Sequence, residues 1–585
     1  MAQIKLTVNG KEALGEKGDS VLSICEKNGI RIPTLCHHRS LVDTGACRVC
    51  LVEIKGTRGY RPACCTESNE GMVIKTDTDE IKRLRRSMLE FLFSERNHFC
   101  MFCEASGDCE LQNLAYEHGI EHAKYDYAEP QVRVDSTRYY FVFDENRCIL
   151  CQRCIRACSE VAGHNVLDLG KRGADARIIS DLNVPFGESS CTSCGTCLQV
   201  CPTGALIDRK SSYMGRMAQC NVTKSTCSAC SVGCGIEVVT RDNHILKVNG
   251  DFDTPASKGV LCVAGRFETL HIDKERITKP MIKRANTYDE VGWDEALDYV
   301  SSKFKEIGMK NVIGLISPKA TNEEASAFAK LFGNDKVGEF ASHTVLPSIH
   351  SGNRDGGTRM PSKDRIAVLD DVRPSDCILM YKVDLDKESR VVGSFAKLAF
   401  YKGNATLILV DDKTNGFDKH ATLKIKPEEI NVAKELLERS SNPVIIYSAD
   451  TTADELETLL FLSGKSKLLG LLAGANSRGL LNMGIDGKVD ASKAKALYVL
   501  ACDDGLKGQF NRYNSDFVVL QTSHATPEME DADVILPAQI WSEKDGSITN
   551  IDGLVQKVVK TIDSPEGVQS NQVTIEILAQ KVLGS

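Results

Sequence analysis

The sequence predicts a multidomain chain, α+β through its cysteine-rich part and doubly wound α/β after it. Three observations carry that prediction. At 585 residues the chain exceeds what one hydrophobic core can organise. Its 24 cysteines are distributed unevenly: beyond Cys262 only Cys377 and Cys502 remain. Short apolar runs alternate with helical stretches only beyond that same point. Hydrophobic content of 42% and charged content of 26% are ordinary for a globular protein. A net charge of −8 with no dominant basic stripe argues against nucleic-acid binding.

The opening MAQIKLTVNGKEA alternates Ile4, Leu6 and Val8 and turns at Asn9-Gly10, which predicts a β-hairpin. A short helix over 21–28 follows, with Ser20 as cap and Gly29 as stop. Lys82, Arg83, Arg85 and Arg86 read as the solvated face of a second helix whose apolar side holds Leu84, Met88, Leu89 and Leu92. No targeting signal, twin arginine or bilayer-length apolar run is expected, which places the chain in the cytoplasm. Thiols stay reduced there, so the cysteines point to metal ligands rather than disulfides.

The first cysteine group is Cys36, Cys47, Cys50 and Cys64, spaced C-x10-C-x2-C-x13-C. Three clustered cysteines and a distant fourth, after a hairpin and a helix, look like a plant-type 2Fe–2S ferredoxin, although the plant C-x4-C-x2-C form differs. A four-cysteine zinc site is the alternative, and Cys65 competes with Cys64 as fourth ligand. The second group is His98, Cys100, Cys103 and Cys109. Its three cysteines fall one short of a cluster, and His98 is the nearest extra donor. Neutral imidazole in place of thiolate raises a cluster's potential.

The third group is paired. CILCQRCIRAC supplies Cys148, Cys151, Cys154 and Cys158; CTSCGTCLQVCP supplies Cys191, Cys194, Cys197 and Cys201. In such C-x2-C-x2-C-x3-C pairs the fourth cysteine ligates the other cluster. The expected 4Fe–4S sets are therefore Cys148, Cys151, Cys154 and Cys201, and Cys158, Cys191, Cys194 and Cys197. The fourth group is Cys227, Cys230, Cys234 and Cys262, suited to a further 4Fe–4S cluster. Between its members IEVVTRDNHILKVNGDF predicts a hairpin turned at Asp242-Asn243 that folds Cys262 back. Cys25, Cys65, Cys220, Cys377 and Cys502 are left as core or surface thiols. One 2Fe–2S and four 4Fe–4S clusters, each tuned by its own surroundings, read as a wire for single electrons.

Residues 1–210 resemble the iron–sulfur subunits of NAD-linked complexes: the large iron–sulfur subunit of complex I, the N-terminal part of some iron-only hydrogenases, and the small diaphorase subunit of NAD-reducing hydrogenases. The short H-x-C-x2-C-x5-C motif at His98, with NRCILCQRCIRAC and GESSCTSCGTCLQVCPTGAL, most resembles the hydrogenase diaphorase type; complex I usually has H-x3-C. Residues 220–585 resemble molybdopterin oxidoreductases of the formate dehydrogenase type, through the fourth cysteine group, SPKATNEEA and ADVILPAQIWSEKDGSITNIDG.

Beyond Cys262, the runs 312–316, 378–381, 407–410, 444–447 and 497–500 predict strands buried on both faces, and PEEINVAKELLERS predicts a helix with Pro427 near its first turn. No G-x-G-x-x-G follows these strands, so neither FMN nor NAD is expected here. Against the family pattern, Ala264 stands where formate dehydrogenases carry lysine. No cysteine is available between Cys262 and Cys377 as a metal ligand. Ser342-His343 falls where a Cys-His or Sec-His pair sits, and the chain ends near the start of the family's last pterin-gripping domain. These features predict a scaffold without molybdopterin, with Ser342 as an ordinary loop serine.

The expected domains are a 2Fe–2S ferredoxin domain (1–78), a 4Fe–4S domain with one histidine and three cysteine ligands (79–124), a two-cluster 4Fe–4S ferredoxin (125–215), a 4Fe–4S domain of molybdopterin-oxidoreductase type (220–276) and an α/β scaffold (277–585). By these resemblances the chain is an electron-transfer subunit of a cytoplasmic multi-subunit oxidoreductase. It carries no catalytic residue of its own. The implied partners are a flavin-containing NADH-binding subunit, a thioredoxin-like 2Fe–2S subunit, and a hydrogenase or other catalytic subunit; electron bifurcation with ferredoxin is a further expectation. Two rivals are a catalytic molybdenum or tungsten formate dehydrogenase and a zinc-stabilised scaffold without redox function.

Overall fold

The computed structural model describes residues 2–584 except 123, 127, 129, 271–273, 286, 340–364, 486–488, 504–511 and 513. Ser342 and His343 lie outside the described residues. The chain divides into two units, Met1–Asn221 and Val222–Ser585.

In the first unit, the opening hairpin pairs Gln3–Val8 with Lys11–Glu16, turning at Asn9 and Gly10 in left-handed conformation. It joins a five-stranded mixed sheet with Val73–Lys75, Leu51–Ile54 and Tyr60–Pro62, in that order. Ile4, Leu6 and Val8 alternate inward and pack with Val21, Leu22 and Ile24 of the helix Val21–Lys27. Ser20 caps that helix, its hydroxyl accepting the Ser23 N–H at 3.1 Å. The helix Asp79–Glu95 starts at Thr78, whose hydroxyl accepts from Ile81 N–H. Its basic run departs from a solvated face. Arg85 is 3% exposed and donates to the carbonyls of Val49, Leu51 and Thr76. Those carbonyls lie on other segments, so a charge pattern read along one helix could not reveal them.

Two short helices, Arg153–Arg156 and Thr196–Val200, lie within the paired cysteine repeats, beside a three-stranded sheet of Leu206–Asp208, Phe141–Asp144 and Val134–Asp135. The repeats share a backbone device. Leu150 and Gln152 in one, and Ser193 and Gly195 in the other, are left-handed at equivalent positions. Such turns aim successive N–H groups into one concavity suited to anionic ligands.

The second unit carries the predicted hairpin, Gly235–Arg241 against His244–Gly250, with Asp242 and Asn243 at positive φ. Beyond it stand two larger sheets. One has seven strands in the order Thr287–Glu290, Met281–Arg284, Val534–Pro537, Phe517–Thr522, Ala496–Cys502, Val312–Ile316 and Val337–Glu339. Its last five are mutually parallel. The other is wholly parallel: Leu423–Ile425, Thr406–Val410, Cys377–Tyr381, Pro443–Tyr447 and Lys467–Gly470. Cys377–Tyr381, Pro443–Tyr447 and Ala496–Cys502 are buried along their whole length, as continuous apolar runs require. The segment from Pro427 begins as a 3₁₀ helix to Ala433 and becomes α-helical only over Lys434–Arg439. An aromatic cluster of Phe304, Phe328, Phe332, Tyr498 and Phe517 fills one core. Among the described residues, no helix is long and apolar enough to cross a membrane.

Candidate metal centres

Cys36, Cys47, Cys50 and Cys64 converge in the first unit. The Cys36 N–H donates to the Cys47 Sγ at 3.4 Å, and the Cys50 and Cys64 sulfurs stand 3.5 Å apart. All four are buried, whereas Cys65 is exposed at the rim. Contact with its sulfur neighbours Cys47 and Cys64 pulls the Cys36 thiol well below its ordinary range, while contact with Cys36 drives Cys47 and Cys64 up.

His98, Cys100, Cys103 and Cys109 line one cavity, together with Arg147 and Thr203. The stretch after the helix Asp79–Glu95 delivers His98, and the residue before helix Glu110–Glu117 is Cys109. Burial lowers the His98 pKa to about 4, so the ring is neutral, and its buried Nε2 has no hydrogen-bond partner. A neutral imidazole with an orphaned nitrogen in a cavity with three thiols fits a metal site of mixed donors. Gly204 closes the wall. A Cβ there would lie 2.6 Å from the Cys103 sulfur.

Cys148, Cys151, Cys154 and Cys201 line a second cavity, which Thr203 also borders. Burial pushes the thiols of Cys148 and Cys151 up to about 12, with neighbouring thiols adding to it, and backbone N–H groups of Leu150 and Arg153 oppose it. Cys158 stands near Cys191 and Cys194 and accepts the Val166 N–H at 3.4 Å. Burial raises Cys194 too. A hydrogen bond from His164 and that ring's charge overcome it and hold the thiol at about 6. The crossed arrangement therefore places Cys201 with the first three cysteines and Cys158 with the second group. The two sets adjoin, since Cys154 also feels Cys197.

In the second unit, Cys227, Cys230 and Cys234 lie between the strand Asn221–Thr226 and the hairpin, and Cys262 caps the short helix Val263–Arg266. The Cys227 N–H donates to the Cys234 carbonyl at 2.8 Å, closing the loop. Burial first, then the Cys262 and Cys230 thiols, push Cys227 up to about 12; Lys319 and Arg390 bring positive charge toward Cys227 and Cys230 respectively. Burial raises the Cys234 thiol well above its ordinary range too.

Thiols that burial raises this far, such as Cys148, Cys151, Cys154, Cys227 and Cys234, ionise at neutral pH only against a bound cation. Among the described residues, no three His, Cys, Asp or Glu donors converge on one ion-sized position. Of the remaining cysteines, Cys25, Cys377 and Cys502 are buried in cores, Cys65 is exposed and Cys220 half-buried. Sequence reasoning missed His164, Lys319 and Thr203. His164 carries no local signal, and Lys319 lies inside SPKATNEEA, where nothing sets it apart.

The chain matches the family model described as molybdopterin oxidoreductase over residues 276–575. It belongs to the molybdopterin oxidoreductase family. The Fe4S4 domain of that family matches residues 220–274. Three further models match before it: a 2Fe–2S iron–sulfur cluster binding domain over 1–79, the NADH-ubiquinone oxidoreductase-G iron–sulfur binding region over 85–124, and the ferredoxin-like domain of NADH-quinone oxidoreductase subunit 3 over 141–207. This member of the family therefore carries 2Fe–2S and 4Fe–4S domains ahead of its molybdopterin oxidoreductase region.

Among curated relatives, the second G-type subunit of the NADH-quinone oxidoreductase of Rhizobium meliloti is 31% identical over 72% of this chain and 49% of its own. The chain thus spans about half of that relative. NADPH-Fe(3+) oxidoreductase subunit alpha of Geobacter sulfurreducens is 27% identical over 96% of this chain and 79% of its own. A provisionally named formate dehydrogenase of Staphylococcus haemolyticus is 25% identical over 99% and 74%.

Proposed function

We propose that this chain is the iron–sulfur electron-transfer subunit of an NAD(H)-linked, multi-subunit oxidoreductase. The observation that carries the reading is the succession of adjoining donor sets within Met1–Asn221. Thr203 borders both the His98 cavity and the Cys148 cavity, and Cys154 stands near Cys197 of the next set. When bound, one 2Fe–2S and four 4Fe–4S clusters supply one-electron storage and transfer at those positions. Cys36, Cys47, Cys50 and Cys64 would hold the first, and the His98, Cys148, Cys158 and Cys227 sets the others. Buried apolar walls keep water from the sulfurs and set the potentials.

A flavoprotein that oxidises NADH would feed this chain, as the NADH-linked names of its relatives suggest. The short motif at His98 favours a hydrogenase as the catalytic subunit, with ferredoxin-linked bifurcation as an extension. Ala264 after Cys262 favours a region 277–585 that works as scaffold rather than as a pterin enzyme. The test is reduction of the anaerobically purified protein with dithionite, followed by electron paramagnetic resonance at several temperatures. Separate signals from a 2Fe–2S and several 4Fe–4S clusters are expected; a colourless, silent protein containing zinc would refute the reading.

Family membership itself favours one rival, a molybdenum- or tungsten-dependent enzyme in residues 276–575. Metal analysis separates the two. About one molybdenum or tungsten per chain, with formate oxidation, would establish the enzyme.

A further inference from the structure

Arg156 is a spacer residue in CILCQRCIRAC, yet it is only 5% exposed. Its neighbour Arg153 forms a bidentate pair with Glu110, at 2.7 and 2.8 Å. Arg156 behaves differently: among the described residues its guanidinium donates to carbonyls. Nη1 donates to Val42 at 2.5 Å and Nε to Gln152 at 3.3 Å. A single nitrogen, Nη2, donates both to the Cys36 carbonyl at 2.6 Å and to the Cys151 carbonyl at 3.1 Å. Those two cysteines belong to different donor sets.

We propose that Arg156 is a positioning residue that ties the Cys36, Cys47, Cys50 and Cys64 site to the Cys148, Cys151, Cys154 and Cys201 site, and sets both potentials together. The inference rests on reading the two sets as cluster sites. Three arguments support it. First, a buried guanidinium held by carbonyls alone needs negative charge nearby, and a thiolate set stands on either side. Second, Cys36, Cys47, Ile149 and Cys151 share one apolar cluster with Leu35 and Val49, so the two sites meet through dry, packed protein. Fixed charge acts strongly in such a medium. Third, both ligand backbones hang on one nitrogen, so neither ligand loop shifts without the other.

Reduction adds one negative charge to a site. A cation fixed beside both sites favours the reduced state of each and raises both potentials. Transfer between them moves one electron, oxidising one site and reducing the other, with no bond made or broken. Lysine keeps the positive charge but, lacking the planar fork, reaches fewer of these carbonyls at once.

The test is a redox titration of the full-length, anaerobically purified chain, followed by electron paramagnetic resonance, for wild type, Arg156→Gln and Arg156→Lys. In Arg156→Gln both midpoints are expected to fall together while the His98 site keeps its own. In Arg156→Lys, charge is retained and both midpoints stay nearer wild type. If Arg156→Gln loads iron poorly, the proposal expects both clusters to be lost together while Arg156→Lys keeps them. A shift or loss confined to one site, or no shift in a loaded Arg156→Gln, overturns it. A wild-type chain without either cluster signal would instead refute the reading of the sites themselves.

Discussion

At the scale of single residues, chemistry and steric fit make separate predictions. His98 offers a neutral nitrogen in a cavity whose three other expected donors are thiols. His98→Cys adds a negative charge, so the midpoint of that one cluster should fall while the others hold, as a redox titration would read. Gly204→Ala would press a methyl group against the Cys103 sulfur. It should alter the spectrum of the His98 site and leave the first 2Fe–2S signal unchanged. Asp552 makes a pH prediction. Burial raises its carboxyl to about 6, although it accepts the Leu369 N–H at 2.9 Å, and Asp370 and Asp371 add to the shift. Its folded pKa therefore lies above its unfolded value. The stability it contributes is complete below about pH 4 and is lost as pH rises through about 6, on the order of 2–3 kcal/mol. Asp552→Asn keeps an acceptor for Leu369 and should flatten that part of the stability profile of the second unit.

Residue-scale legibility was uneven for a physical reason. Cluster ligands must approach one another along a short stretch of chain, so C-x2-C-x2-C-x3-C is visible as spacing. Arg85, Arg156, His164 and Lys319 do their work against atoms far away in sequence. Nothing beside them in the chain distinguishes them from solvated polar residues. Burial likewise separates Cys64 from Cys65, which spacing left as competitors: the first is enclosed and the second exposed.

At the scale of elements, patterns of period two and continuous apolar runs were read from sequence, because they depend on neighbours one or two residues away. The hairpins at Asn9-Gly10 and Asp242-Asn243 stand where the turn residues put them. The helix after Pro427 starts as 3₁₀ instead, a choice of hydrogen-bond register that composition does not encode. The helix Asp79–Glu95 gives the test at this scale. Arg85→Met would strand three carbonyls by removing their shared donor, and two of them, on Val49 and Leu51, flank Cys50. A loss of about 3 kcal/mol or more in the unfolding of the first unit is expected, measurable by denaturant titration. Arg83→Met, whose partner Glu80 is itself exposed, should cost far less.

At the scale of the whole molecule, family and activity come apart. Residues 276–575 belong to the molybdopterin oxidoreductase family, and the matched relatives include both NADH-linked subunits and a provisionally named formate dehydrogenase. One fold serves several activities, so what the chain does is decided by its sites. The five proposed donor sets are its most specific feature, and they rest first on spacing. The measurement that tests the account most directly is analysis of the anaerobically purified protein for iron, acid-labile sulfide, zinc, molybdenum and tungsten. The account predicts about 18 iron atoms per chain, matched by sulfide, with neither molybdenum nor tungsten. Zinc in place of iron, about one atom per four-donor set and without sulfide, would contradict it.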